Sequence, residues 1–345
     1  PYVKSLRFNA ADSVLEVGLT AIPSAIGKMD LLGSLSYFYE VNYQPDRVVR
    51  LLQRAEALDT AGENYRVYEG LARSFNQKRE YNKAQDYALK ALSQEPDHLP
   101  TLRQLFCSYL RNGKPEEAFQ VAGKLVETYP RNFLAYLDLI EWYVSAARYV
   151  EADSVAQSAL ANDVLLSAQA SVYWHLGNFY RRAGELERAE RALQKAIRLY
   201  PEHIGAILSL GFLYELQGDY DQAAQDYRTA VDKRPLHVHG YLHLGQLYLR
   251  QEQLRESEQW LNQAYQIDDA YPSTLRSLGY LCDKQERSDE AYQFAKRALK
   301  IDSSYFSYNL MAWLLIEAQI DREFGLEMAR RAMENPPPDD DYVQG

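Results

Sequence analysis

A leucine–glycine pair recurs at Leu176-Gly177, Leu210-Gly211, Leu244-Gly245 and Leu278-Gly279, each 34 residues from the last. Every pair lies in a stretch with helical apolar spacing, as in SLGFLYELQGDYDQAAQDYRTAVDKRP over residues 209–235. Glycine inside a helix costs about 1 kcal/mol relative to alanine. A cost incurred four times on one period constrains the chain to a structure built from a repeated unit.

The register carries more than glycine. From Gly177 it adds Tyr180, Ala189, Ala196 and Pro201; one step on it gives Tyr214, Ala223, Ala230 and Pro235; later steps give Tyr248 and Ala264, then Cys282, Ala291 and Ala298. Upstream, Leu71, Ala72, Phe75, Ala84, Ala91 and Pro96 form one unit, and weaker units follow it. Each unit reads as two helices of 12–14 residues split by a turn such as RRAGE (181–185) or ELQGD (215–219). Small residues at Gly211 and Ala223 let the two helices approach closely, and the terminal proline stops the second helix. Such a hairpin cannot bury its apolar face alone, so the units must stack.

This pattern resembles the tetratricopeptide repeat. The resemblance covers residues 29–339 as about nine units, starting near 29, 65, 99, 133, 170, 204, 238, 272 and 306. It implies an all-α, right-handed superhelical solenoid of helix-turn-helix hairpins. Residues 1–28 are expected to form a partial repeat or capping helix, and residues 340–345 an acidic disordered tail.

Net charge is −10 over 345 residues, which disfavours nucleic acid and anionic membranes as partners. No apolar run reaches the roughly 20 residues of a membrane-spanning helix, so no membrane insertion is expected. Cys107 and Cys282, far apart, read as buried thiols rather than a disulfide framework. The chain opens on Pro1 without a signal-peptide pattern, which suggests a processed protein or an excised segment. The compartment stays open, with the cytoplasm slightly favoured over a bacterial periplasm.

Catalytic constellations are missing from the sequence: no phosphate loop, H-E-x-x-H, C-x-x-C or G-x-S-x-G. Neither catalytic nor cofactor-binding residues are expected. His239 and His243 stand four apart on one helical face beside His237, a spacing that can chelate a transition metal, but no third ligand is local. The ordinary reading, histidines lining a polar groove, is preferred. The 28 tyrosines largely occupy repeat core positions.

In the family, first helices line the concave face, where partners bind. Helical geometry places Arg66, Arg73, Arg103, Arg111, Trp174, His175, Asn178, Arg181, Arg182, Phe212, His239, His243 and Arg250 on that face. Counted over all units, the face carries nine basic and eight acidic residues, near +1 against −10 for the chain. That balance suggests an acidic peptide held by arginine forks beside Trp174 and Phe212 as exposed anchors. The carboxylate clamp of chaperone-binding members matches only at Asn178, and the asparagine ladder of the sugar-transferring members is missing. The expected function is a non-catalytic scaffold binding a protein segment. Alternatives are a regulatory or targeting segment of a larger enzyme or envelope complex, and self-assembly through the end repeats.

Overall fold

The computed structural model describes residues 2–40, 45–59, 64–160, 166–302, 304–317 and 321–334. Among them there are nineteen α-helices and no strand. The first, α1 (Tyr2–Ala21), precedes nine consecutive helix pairs. These are α2 (Ala25–Glu40) with α3 (Pro45–Leu58), α4 (Tyr65–Gln77) with α5 (Tyr81–Gln94), and α6 (Leu99–Arg111) with α7 (Pro115–Thr128). There follow α8 (Phe133–Ser145) with α9 (Tyr149–Leu160), α10 (Leu166–Arg182) with α11 (Leu186–Leu199), and α12 (Ile204–Gln217) with α13 (Tyr220–Lys233). The last are α14 (Val238–Arg250) with α15 (Leu254–Ile267), α16 (Pro272–Lys284) with α17 (Ser288–Ile301), and α18 (Tyr305–Glu317) with α19 (Arg322–Glu334). The expected tail at 340–345 lies outside the described residues.

One turn closes almost every pair. Arg79, Gly113, Ala147, Gly184, Gly218, Glu252 and Glu286 all adopt positive φ, between 57° and 80°. The residue after each donates its N–H back to a carbonyl near the end of the first helix: Glu80 to Phe75, Lys114 to Tyr109, Arg148 to Tyr143, Glu185 to Tyr180, Asp219 to Tyr214, Gln253 to Tyr248 and Arg287 to Cys282. This 6→1 bond satisfies carbonyls that the helix leaves orphaned. After the second helix, Pro201 and Pro235 stand two residues beyond the ends of α11 and α13, where a missing N–H costs nothing.

The helical glycines mark close approach, with a different neighbour from the one expected. A Cβ on Gly177 would sit 2.7 Å from Leu193, one on Gly211 2.7 Å from the Tyr227 ring, and one on Gly245 2.5 Å from Leu261. The space left by glycine is thus filled by a large side chain one turn beyond the small residue. At Gly211 the ring of Tyr227, rather than Ala223, makes the closest contact. Ala189, Ala223 and Ala291 are fully buried and keep the helix axes close. At Gly279 the nearest atom is Leu310, because Ala295 is too small to fill the space.

The chain divides into two compact units, residues 2–168 and 169–345. Within the first, α4 touches α6 and α6 touches α8; within the second, α12, α14, α16 and α18 touch in turn. First helices therefore form the more closely spaced layer, the inner face of each unit. The first unit's core joins Leu15, Leu32, Leu52, Leu71 and Phe75 from α1 to α4. No described helix is long and apolar enough to cross a membrane.

Candidate functional site

The inner face of the first unit is a ladder of internal ion pairs. Arg103 on α6 donates through Nε and Nη2 to the two carboxylate oxygens of Asp138 on α8, at 2.7 and 3.0 Å. Asp138 is 1% exposed, and burial pushes its carboxyl up to about 6 against the pull of Arg103. Two turns along α6 and one along α8, Arg111 approaches Glu141 at 3.6 Å. Arg73 pairs with Glu69 at 3.2 Å on its own helix. Asn76 donates to Gln104 at its carbonyl and its side-chain oxygen, 2.9 and 3.0 Å away. Arg66 is exposed and lies over the Tyr65 ring. Cys107 sits among these charges, and burial raises its thiol to about 12, so it is no nucleophile at neutral pH.

In the second unit the face is more aromatic. Trp174 on α10 donates from Nε1 to Ser209 on α12 at 2.9 Å, and its ring lies against Gly205, where a Cβ would come within 3.1 Å. The Arg181 guanidinium lies over the Phe212 ring at 5.2 Å, and Arg182 over Phe179 at 5.9 Å. The His175 ring lies tilted against Trp174, 4.6 Å between centroids. Between them Asn178 is half-buried, and its Oδ1 is enclosed without a protein hydrogen-bond donor. Further along, Glu215 accepts hydrogen bonds from both Arg250 and the Tyr227 hydroxyl, and burial raises its carboxyl above the ordinary range.

Two expectations need correction. Phe212 is not an exposed anchor: it is 9% exposed, closed over by Arg181. Arg103 is not an open fork, since Asp138 fills it. The histidines also separate by role. His239 stacks on His237 and meets the Tyr271 hydroxyl through Nε2 at 3.1 Å, whereas His243 stacks on Tyr227. Among the described residues no group of three His, Cys, Asp or Glu side chains is placed to hold a metal.

The sequence contains a signal that single-residue reading missed. Arg103–Asp138, Glu215–Arg250 and Trp174–Ser209 are each 35 residues apart. One period plus one residue is the offset at which polar groups on consecutive first helices meet. Scanning for complementary charges at that offset would have found two of these pairs.

Three tetratricopeptide-repeat family models match the chain, over residues 168–235, 213–273 and 277–305. No curated protein matches it.

Proposed function

We propose that this protein is a non-catalytic scaffold, on the ground that residues 168–273 and 277–305 match tetratricopeptide-repeat models, a class of protein–protein interaction modules. In this reading it holds an extended segment of a partner protein against the inner face of its second unit. The observation that carries it is one face of α10, where Trp174, Asn178, Arg181 and Arg182 bring an aromatic ring, an amide and two cations within two turns of each other. Arg181 and Arg182, each lying over an aromatic ring, stand one turn along the same helix and favour acidic side chains on the segment. Trp174 contributes apolar area while tied to Ser209.

The test is affinity capture from the native source, comparing wild type with Asn178→Ala and with Arg181→Glu/Arg182→Glu. A partner retained by wild type and lost by both variants, with helical content and Tm unchanged, supports the reading. A partner retained equally by all three moves the contact off this face and overturns it.

A further inference from the structure

In the second unit each second helix serves as a seat for the first helix that follows it, and the repeat register shows what a filled seat looks like. Four residues after Ala189, Ala223, Ser257 and Ala291 come Leu193, Tyr227, Leu261 and Ala295, all fully buried. Eight residues after them come Ile197, Val231, Tyr265 and Leu299, all half-buried. On α19 the same count from Gly325 gives Ala329 and Met333. Ala329 is only partly buried, Met333 is 78% exposed, and Leu326 beside them is exposed. The first helix of this hairpin, α18, starts at Tyr305, 33 residues after Pro272 of α16. In that register Trp313 and Ile316, both exposed, stand where Gln246 bonds to Ser277 and Glu215 to Arg250, each on the following first helix. Among the described residues, α19 is thus an apolar seat without its helix, whereas an outer face that meets water is normally polar.

The polar groups around the seat define what fits it. In filled seats the residue after the helix crossing can be an acceptor that serves the next hairpin: Glu190 accepts from the Tyr214 hydroxyl, and Glu258 from the Arg287 guanidinium. On α19 that position is Leu326, which has no use for a donor. A donor stands one turn further on instead. Arg330 occupies the position from which Arg228 donates to the Tyr248 hydroxyl of the following first helix. Arg322 lies one turn before Leu326 on the same stripe. Both arginines are exposed, whereas Arg331 on the neighbouring face is tied to Glu327. The stripe of Arg322, Leu326, Ala329, Arg330 and Met333 holds two cations and no carboxylate, with Glu323 and Glu334 beyond its edge.

We propose that the outer face of α19 docks an amphipathic α-helix of a partner protein, laid where a following first helix would lie. Its apolar stripe covers Leu326, Ala329 and Met333, and a carboxylate on its flank meets Arg330. The occupant is a helix because the four equivalent seats of this unit each hold one, and an apolar helix face is what such a groove takes. It is acidic at its edges because the stripe offers only cations. A second copy laying its own α19 there would bring the same two arginines to the seam, so like charges oppose it. Met333, unbranched and adaptable, stands where Ile197, Val231 and Leu299 fill seats of fixed shape, which suits a partner that comes and goes. The inference does not rest on the inner-face reading, since none of its residues lies on α10.

The probe is a fluorescein-labelled synthetic helix of about four turns, with leucine along one face and glutamate flanking it, titrated by anisotropy against the full chain. A second probe carries lysine in place of every glutamate. Wild type is expected to bind the acidic helix about tenfold more tightly than the basic one. The net charge of −10 favours the basic probe in general, so a preference for the acidic one reports the local arginines. Met333→Glu should weaken the acidic probe about tenfold or more, with helical content and Tm unchanged because the side chain is already exposed. Arg330→Glu, a second exposed site, should turn the preference toward the basic probe. No binding of either probe, or binding that Met333→Glu leaves intact, would overturn the proposal. Equal affinity for the two probes would overturn its carboxylate contact. Sedimentation over a range of concentrations completes the test: a wild-type dimer that Met333→Glu dissolves would give the face to a second copy and overturn the partner helix.

Discussion

The residue that closes seven of the nine hairpins occupies the left-handed region, yet only three of those seven positions are glycine. For an L-residue with a side chain that conformation costs about 1 kcal/mol. Ala147, at φ 57°, has no side-chain hydrogen bond to offset it. Ala147→Gly is therefore expected to raise stability by roughly 0.5–1 kcal/mol, and Gly218→Ala to lower it by about 1 kcal/mol, both read from urea unfolding. A second contrast concerns the helical glycines. A methyl at Gly245 would press on Leu261 Cγ and Cδ2 at 2.5 Å, with the Leu261 backbone N at 3.3 Å behind them. A methyl at Gly279 would press on the far end of Leu310, at 2.9 Å, with the Ala291 carbonyl and Ala295 N at ordinary contact distances of 3.6 and 3.8 Å. Gly245→Ala should cost about 1–3 kcal/mol, as overpacking does. Gly279→Ala should come out near neutral, because the gain in helix propensity, about 1 kcal/mol, offsets a small shift of Leu310. Equal losses at the two sites would show that the glycines serve something other than space.

At the scale of the element, the hairpin was legible because its determinants are local. The period, the turn and the helix-stopping prolines at Pro201 and Pro235 all lie within one unit of sequence. The ion pairs were not, because each joins two hairpins, and helical periodicity fixes which residues share a face of one helix but not which residues of two helices meet. Helical geometry puts Arg103 on the inner face as a single charge, whereas the fold sets it against Asp138 of the next first helix. The +1 balance of that face is thus made largely of mutually neutralised groups rather than open forks. Arg103→Ala should consequently act through the charge it strands. At pH 7.5 the loss is expected to be about 2–3 kcal/mol, since Asp138 stays buried without its partner. At pH 5, below the value of about 6 that burial gives Asp138, the carboxyl is neutral in both proteins and the difference should shrink. A loss independent of pH would mean that Arg103 acts through its packing alone.

For the whole molecule, buried titratable groups pull stability in opposite directions. Asp226 is pushed up to about 7 by burial, from an ordinary 3.8, and its Oδ2 has no hydrogen-bond partner. The folded state therefore holds a proton that the unfolded state has lost, and stability falls as pH rises from about 4 to about 7. Asp138 adds the same sign over a narrower window, to about 6. His243 runs the other way. Burial, helped by His239 and Arg250, pushes it down to about 3 from 6.5, so the unfolded state binds the extra proton and stability rises with pH between those values. His203, His237 and His239 are also lowered, chiefly by burial, and share that sign. Between pH 4 and 6.5 the two sets oppose each other, so wild type should show a shallow pH dependence there. Single variants should tilt it. Asp226→Asn removes a slope of at most about 1.4 kcal/mol per pH unit, reduced because the carboxyl is partly open to solvent. The variant should thus gain stability over wild type at pH 8 and lose that gain by pH 4. His243→Phe, which keeps a ring against Tyr227, should gain over wild type at pH 4 and not at pH 8. Urea unfolding of the three proteins from pH 4 to 8 decides it. Curves that stay parallel throughout would mean that neither buried group titrates with folding.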